Sequence, residues 1–264
     1  EERAAIPSTC ENGIEEGWYC PVCDEYIEGG NIITGGHYGG NPTCITPSTC
    51  EVCNEEYYNP HNHEQTLNEN GVYPCCNKYQ AAVLNTSGIY EISNAAQLMW
   101  FAENLNKQIL PLNSNAILTN DIDLQNFFWI PIAQASSFLA SSTGYEGTFN
   151  GNGYTIKNIN VSESSDRVSN GLFGIISGNG KVVMTALENF TYNSDNFVGY
   201  TGGIAGCLLP GATIENCYVI NSTINAPDDI VGGIVGLNMG NIAICYTLNI
   251  DITALQNLCG GICG

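Results

Sequence analysis

The spacing of apolar residues changes along the chain and divides it in two. Residues 1–80 contain few aliphatic side chains and keep no regular period. From residue 81 onward, short apolar runs such as Ala116–Thr119 and Tyr218–Ile220 recur between Gly and Asn residues, a pattern typical of short strands joined by turns. The sequence therefore predicts two domains, a small module over 1–80 and a strand-rich domain over 81–264.

One segment near the start of the second domain departs from the strand pattern. Its apolar residues follow helical spacing, at Leu98, Phe101, Ala102 and Leu105. Asn94 and Gln97, three residues apart, resemble a helix N-terminal capping pair. The sequence predicts an amphipathic helix near 94–107 that caps the N-terminal end of the strand domain and covers its edge.

A repeat identifies the fold of the strand domain. The motif Gly-apolar-x-Gly begins at Gly171, Gly203, Gly233 and Gly261, with spacings of 28 to 32 residues. A second echo, apolar-x-Asn-apolar with Ile replacing Asn in the last copy, begins at Ile156, Leu187, Ile214 and Ile242. Units of this length bury a core only by stacking, with about three short strands each pairing in parallel with their copies above and below. The repeat predicts an all-β domain, a right-handed parallel β-helix with one coil per repeat.

Three strings in this domain resemble a known family: residues 90–98 (YEISNAAQL), 118–124 (LTNDIDL) and 147–156 (GTFNGNGYTI). They are similar to the start of GLUG-motif β-helices, and the later Gly-Gly-Ile-x-Gly units resemble the GLUG repeats themselves. Such β-helices occur in surface and adhesin-like proteins of gut Firmicutes, where short Cys-x-x-Cys modules similar to Cys50–Cys53 precede them. The resemblance implies a secreted or cell-surface protein with a structural or adhesive role, and it transfers no catalytic residue.

The N-terminal module needs a cross-link or a metal, because a segment this small buries too little apolar surface to fold unaided. It holds eight of the 13 cysteines and all three histidines. Two similar groups could each hold a tetrahedral zinc ion: Cys10, Cys20, Cys23 and His37, and Cys44, Cys50, Cys53 and His61. Disulfides are the equally weighted alternative for a secreted module, and the adjacent Cys75 and Cys76 favour them slightly.

Cys217 and Cys245 occupy equivalent positions of successive repeats, so we expect them to stack. Buried Cys behaves as a small apolar residue, and in-register parallel strands disfavour the disulfide dihedral angle. The sequence therefore predicts packing rather than a cross-link for this pair.

The charge balance is strongly acidic, with 26 Asp and Glu against 6 Lys and Arg and a net charge of −20. So few bases exclude nucleic-acid binding, which depends on basic contacts to phosphates, and they disfavour attachment to anionic membranes. No apolar run is long enough to span a bilayer. Weak Ca²⁺ binding by surface carboxylates is a further expectation.

An enzyme is not expected, although parallel β-helices also host polysaccharide lyases and hydrolases. Asp121 and Asp123 could share one side of a strand, but no base neighbours them. The alternative to a structural role is a glycan-binding module, in which exposed tyrosines would stack on sugars. Strand propensity alone also explains Tyr154, Tyr218 and Tyr246, so a stacked, exposed row would favour binding and a buried row would favour packing. A polysaccharide-active enzyme ranks third.

The sequence also raises two questions of assembly and modification. A coil that ended inside the fourth Gly motif, at Gly264, would leave an apolar end, so we expect either further coils or head-to-tail docking into a filament. Host or cell-surface glycans or proteins are the other expected partners, outside the cell. Asn-x-Ser/Thr sequons occur at Asn85, Asn160, Asn189 and Asn221, and they are glycosylation sites only in a eukaryotic source.

Overall fold

A computed structural model describes most of the chain from residue 78 onward and short strands before it. The described ranges are 78–134, 143–161, 168–194, 199–226, 230–254 and 258–264, together with isolated strands between residues 2 and 73. By its internal contacts the chain forms two compact units, residues 1–68 with 73–77, and residues 69–72 with 78–264.

The described part of the N-terminal unit consists of short strands. They are β1 (Glu2–Arg3), β2 (Gly13–Ile14), β3 (Gly17–Cys20), β4 (Glu25–Gly29), β5 (Ile32–Ile33), β6 (Ser48–Thr49) and β7 (Glu56–Tyr57). β1, β3 and β4 form an antiparallel sheet, and β2–β5 and β6–β7 are antiparallel pairs.

The eight predicted zinc or disulfide residues lie outside the described residues, except that the backbone of Cys20 ends β3. The choice between zinc and disulfides therefore stays a prediction.

The second unit begins with short strands and one helix. β8 (Val72–Tyr73) has one residue in each unit, and β9 (Lys78–Tyr79), β10 (Val83–Leu84) and β11 (Ile89–Ile92) precede α1 (Ala95–Asn106). β10 and β11 pair in antiparallel fashion, and β11 then pairs in parallel with the first strand after the helix.

The remaining strands stack in five successive layers, which we name A to E. Layer A (115–147) contains β12 (Asn115–Leu118), β13 (Ile122–Asp123) and β14 (Phe128–Trp129). Layer B (148–180) contains β15 (Thr148–Asn150), β16 (Thr155–Lys157), β17 (Asn160–Val161), β18 (Ser169–Asn170) and β19 (Phe173–Ile176). Layer C (181–212) contains β20 (Lys181–Val183), β21 (Ala186–Glu188), β22 (Thr191–Asn193), β23 (Tyr200–Gly202) and β24 (Ala205–Leu208). Layer D (213–240) contains β25 (Thr213–Glu215), β26 (Tyr218–Asn225), β27 (Ile230–Gly232) and β28 (Val235–Asn238). Layer E (241–264) contains β29 (Asn241–Ala243), β30 (Tyr246–Thr253) and β31 (Cys259–Gly260).

Each strand of these layers pairs in parallel and in register with its equivalent in the next layer. Along one face, for example, Phe149 pairs with Val182, Val182 with Ile214, and Ile214 with Ile242. Side chains alternate between the inside and the outside of the coil, so such rows build a continuous apolar core. The predicted fold, a parallel β-helix with an N-terminal capping helix, is confirmed, and it makes about four turns.

The Gly-apolar-x-Gly repeat marks one corner of every layer from B to E, as one coil per repeat requires. Phe173, Ala205, Val235 and Cys263 of successive motifs lie in one row. All of the motif glycines except Gly261 are needed for space; for example, a Cβ on Gly236 would lie 2.6 Å from the backbone nitrogen of Thr201. None of the motif glycines has a positive φ, so tight contact between backbones explains the motif.

Two details of the predicted repeat are wrong. Layer C contains five short strands rather than three. The second echo mixes two corners: Leu187 pairs with Val219, whereas Ile214 pairs with Val182. The copies at Ile156 and Leu187 therefore belong to one corner of the coil, and those at Ile214 and Ile242 to another.

The helix begins where the capping pair predicts. The Asn94 side chain accepts a hydrogen bond from the Gln97 amide at 3.0 Å, and the Gln97 side chain accepts one from the Ser93 amide at 2.8 Å. The apolar stripe of the helix is fully buried at Leu98, Phe101 and Leu105, which confirms that it packs on the core.

The two ends of the stack differ in burial. In layer A, beneath the helix, the inward side chains of Ile122, Leu124 and Trp129 are at most 1% exposed. In layer E, inward residues such as Ile242 and Ile252 are partly exposed.

Candidate functional site

Asparagines form a ladder along one corner of the coil. Asn158, Asn189, Asn221 and Asn249 all have φ between 51° and 56°, a left-handed conformation that Asn tolerates better than most residues. The Asn189 amide donates to the Asn158 carbonyl oxygen at 3.0 Å, and Asn249 donates to Asn221 at 3.2 Å. These side chains join successive layers. Two of the four sequon asparagines already use their side-chain amides in this way: Asn189 donates to Asn158 within the ladder, and Asn221 donates to the Glu188 carboxylate of layer C.

The other left-handed corner is less regular. Its left-handed residues are Met184, Asn216 and Ile244 at equivalent positions of layers C to E, and Asn152 in the longer corner of layer B, with φ between 47° and 53°. Met184 and Ile244 are 41% and 74% exposed, and a β-branched residue in this conformation is a conformational outlier. The spacing of apolar residues does not predict whether φ is positive or negative, so the sequence did not predict this strained corner.

Of the three tyrosines predicted at strand positions, two lie in one row and one does not. Tyr218 and Tyr246 stack with ring centroids 5.0 Å apart and planes inclined by 11°, and Tyr246 is 51% exposed. The same row continues to Ala186 and Thr155 in layers C and B. Tyr154 lies outside it and packs against the core.

The two candidate carboxylates hold layers together. Asp121 accepts a hydrogen bond from the Thr155 amide of layer B at 2.9 Å. Asp123 accepts from the Asn158 side chain of layer B and from the Gln125 amide, both at 2.8 Å. Among the described residues, no three His, Cys, Asp or Glu side chains converge as a metal site would require, and the calcium and zinc expectations remain predictions.

A groove of about 220 Å³ lies beside the C-terminal half of α1. Its lining combines apolar and polar side chains: Tyr79, Met99, Ala102, Glu103, Asn106, Lys107, Phe128, Trp129, Ile130 and Gln134. Glu103 and Lys107 form an ion pair at 2.6 Å on the rim, and Phe128 is 74% exposed. Burial, followed by the nearby Glu103 carboxylate, raises the pKa of Tyr79.

The sequence did not predict this groove, because Phe127–Ile130 is a continuous apolar run that shows no alternation. In β14 the chain alternates instead, with Trp129 buried and donating its indole N–H to the Leu172 carbonyl at 3.1 Å. Phe128 and Ile130 consequently face outward. The strand alternation that exposes them appears only when the direction of the core is known.

Cys217 and Cys245 stack in adjacent layers, and both thiols are free. Cys217 is fully buried, whereas Cys245 is partly exposed. Interaction with the neighbouring Cys245 thiol, with burial second, raises the pKa of Cys217. The same interaction lowers the pKa of Cys245 to about 7.

Cys207 has a different environment. It accepts a hydrogen bond from the Ser169 hydroxyl at 3.3 Å, and burial raises its pKa to about 11. Its neighbours in the row are Ile175 and Leu237, so it has no cysteine beside it in the stack.

No helix in the described part of the chain is long and apolar enough to cross a membrane. The helix that is described, α1, has 12 residues.

Comparison with known proteins gives partial matches. No family model matches the chain, so the resemblance to GLUG-motif proteins stays a prediction. Halomucin of Haloquadratum walsbyi is 33% identical over 97 residues, which cover 37% of this chain and 1% of halomucin. A solved structure of a putative immunoglobulin A1 protease from Bacteroides ovatus superposes with a TM-score of 0.44 at 20% identity, covering 70% of this chain and 66% of that one. The chain is thus similar to a very small part of one curated relative.

Proposed function

We propose that this chain belongs to an extracellular or cell-surface protein in which the β-helix is a structural scaffold with an adhesive role. The observation that carries the proposal is that outward-facing polar side chains of the β-helix form hydrogen bonds between its own layers. The Asn ladder and the carboxylates of Asp121 and Asp123 bond to the neighbouring layer. A coil whose side chains tie its own layers together suits a rigid support, and the similarity to halomucin, whose name is that of a mucin, supports a surface location.

A non-catalytic role is part of the same proposal. A glycosidase needs two carboxylates free to act on the substrate, one of them as an acid. Asp121 and Asp123 instead accept hydrogen bonds from backbone and side-chain donors. Their engagement in the fold supports a scaffold over a polysaccharide-active enzyme.

Adhesion can be tested with beads that carry the purified chain. We expect such beads to bind cells or extracellular matrix from the natural surroundings of the source organism, and soluble chain to compete for the binding. Beads coated with the Phe101→Ala variant, which weakens the fold, control for nonspecific attachment. Equal binding by both sets of beads, or binding that soluble chain does not reduce, would contradict an adhesive role.

Glycan binding is the second candidate, and the groove beside α1 favours it. The groove is smaller than the roughly 300–1,000 Å³ of pockets for drug-sized ligands, so it suits a single sugar unit. The exposed ring of Phe128 offers an apolar face for sugar C–H groups, while Glu103, Lys107 and Gln134 offer hydrogen-bond partners. The ion pair leaves the rim without net charge, which favours a neutral saccharide.

A glycan array separates the groove from the tyrosine stack. We expect neutral glycans to bind the wild-type chain, Phe128→Ala to abolish binding, and Tyr246→Ala to leave it unchanged. Ile109→Ala is the matched control, because Ile109 is 66% exposed and does not line the groove. Loss of binding in Tyr246→Ala alone would move the site to the tyrosine stack, and no binding by the wild type would contradict this candidate.

A further inference from the structure

The cysteine pair of layers D and E occupies an unusual position in the coil. Cys217 and Cys245 lie at one corner, each directly after a left-handed residue and before the next strand. The equivalent residue of layer C is Thr185, whose hydroxyl donates to the Val183 carbonyl at 3.0 Å. The thiols repeat this geometry, as Cys217 and Cys245 donate to the carbonyls of Glu215 and Ala243 at 3.3 and 3.2 Å. The corner thus carries an internal row of one hydroxyl and two thiols.

We propose that Cys217 and Cys245 form a reactive dithiol, which external low-molecular-weight disulfides oxidise to a disulfide between layers D and E. Neighbouring layers are about 4.8 Å apart, within the range of roughly 4.4–6.8 Å between the Cα atoms of disulfide-bonded cysteines. The dihedral restriction expected for in-register strands does not apply in full, because both residues lie outside the strands. The packing interpretation of the sequence therefore describes the reduced form.

The two cysteines have distinct roles. The partly exposed Cys245 is open to an external reagent, and it lies next to Cys217 in the adjacent layer. The Glu215 carboxylate, the charged group that acts on it, works in the opposite direction. Cys217 has no exposed surface, so it reacts only with a group already inside the corner. Cys245 is the attacking thiol and Cys217 the resolving thiol.

The reaction balances in two exchange steps. The Cys245 thiolate attacks one sulfur of the external disulfide, forms a mixed disulfide and expels the other half as a thiolate. The Cys217 sulfur then attacks the Cys245 sulfur, its proton passes to the departing second half, and that half leaves as a thiol. The chain loses two protons and two electrons, and the external disulfide takes up both electrons as two thiols.

The chain provides internal controls. Cys207 is buried beside Ser169 with no cysteine next to it in the stack. Cys259 and Cys263 are exposed but lie in one layer, on a different corner. An oxidant acting without selectivity would modify the exposed pair first and leave Cys217 reduced.

The test is oxidation of the full chain followed by peptide mapping. The reduced protein is treated with oxidised glutathione, blocked with N-ethylmaleimide in denaturant, digested and analysed by mass spectrometry without reduction. We expect a peptide cross-linked between Cys217 and Cys245, while Cys207 remains reduced. In Cys217→Ser we expect glutathione to remain attached to Cys245, and in Cys245→Ser we expect Cys217 to stay reduced. Thr185 at the equivalent position indicates that this corner accepts a hydroxyl, and circular dichroism verifies the fold of each variant.

A second measurement distinguishes the effect of Cys217 on the reactivity of Cys245 from the effect of the solvent exposure of Cys245 alone. Alkylation of Cys245 by iodoacetamide requires the thiolate, so its rate should rise through about pH 7. In Cys217→Ala the neighbouring thiol that lowers the pKa of Cys245 is lost, so this pKa should rise and alkylation at pH 7 should slow several-fold. The proposal is overturned if glutathione stays on Cys245 of the wild type without a cross-link, if Cys217 links to another cysteine, if neither thiol reacts, or if Cys217→Ala leaves the pH profile unchanged.

Discussion

At the residue scale, the corners of the coil depend on left-handed backbone. A non-glycine residue in this conformation costs roughly 1–2 kcal/mol, less for Asn. The ladder from Asn158 to Asn249 meets that demand with Asn in every layer from B to E. The second corner does not, because Met184 and Ile244 replace Asn in layers C and E.

Replacing Ile244 by Asn should therefore stabilise the protein. Asn relieves the strain of a β-branched side chain at a φ of 53°, and we expect the free energy of unfolding in urea to rise by about 1 kcal/mol. Leu248→Asn is the matched control, because Leu248 is an exposed apolar residue of the same layer whose φ is not positive. Equal effects of the two substitutions would contradict the strain argument.

The sequence predicted residue types at corners but not their conformations. Gly and Asn between apolar runs indicated turns, and Asn at these corners does adopt left-handed backbone. The motif glycines turned out to serve close backbone contact. A glycine in the sequence is compatible with either role, so only the structure distinguishes them.

At the element scale, the capping helix covers layer A with its apolar stripe. The ring of Phe101 packs against Tyr90 and Tyr145, with centroids 5.7 and 6.5 Å away. Tyr145 is itself buried and donates its hydroxyl to the Ser114 carbonyl at 2.8 Å. The helix thus packs against both β11 and the inside of the coil.

Phe101→Ala should be among the most destabilising single substitutions in the helix. Truncating a fully buried Phe costs about 3–5 kcal/mol, and the loss should appear as a lower denaturation midpoint by circular dichroism. Glu103→Ala removes only an exposed ion pair, worth about 0.2–1 kcal/mol. If Phe101→Ala were no worse than Glu103→Ala, the helix would not be a cap.

The Gly motif allows a comparison between two layers. A Cβ on Gly233 would collide with the Gly261 carbonyl, whereas on Gly261 its nearest neighbour is the Thr247 hydroxyl at 3.8 Å. Gly233→Ala should therefore destabilise the chain, and Gly261→Ala should be close to neutral. Thermal unfolding of both variants tests this, and equal shifts would show that backbone crowding does not explain the motif.

The register error in the second echo shows where sequence reasoning reaches its limit. Two corners of the coil use the same local pattern, an apolar residue, any residue, a left-handed Asn and an apolar residue. Pairing of Leu187 with Val219 rather than Ile214 depends on contacts across layers, which the local pattern does not encode. The fold class and the helix followed from periodicity, whereas the groove and the carbonyl partners of the Cys217 and Cys245 thiols are visible only in the structure.

At the scale of the whole molecule, stability should vary along the stack. In a solenoid each layer contacts only its neighbours, so local opening is governed by the burial of that layer. Layer C lies between two layers and its inward Val182 and Leu187 are fully buried, while Ile242 and Ile252 of layer E are partly exposed.

Hydrogen exchange measured by mass spectrometry should reproduce this gradient. Peptides from 241–254 should exchange before those from 181–194, because fewer apolar contacts must open to expose their amides. The Phe101→Ala variant should accelerate exchange in layer A more than in layer D. Uniform exchange across all layers would instead indicate a single cooperative unit.

Surface location is the central claim about function, and antibody accessibility on intact cells tests it most directly. An antibody raised against the purified chain is applied to intact and to permeabilised cells of the source organism, with an antibody to a cytoplasmic enzyme as the control. The scaffold proposal predicts strong labelling of intact cells that protease treatment of the cell surface removes. Labelling that appears only after permeabilisation would contradict it.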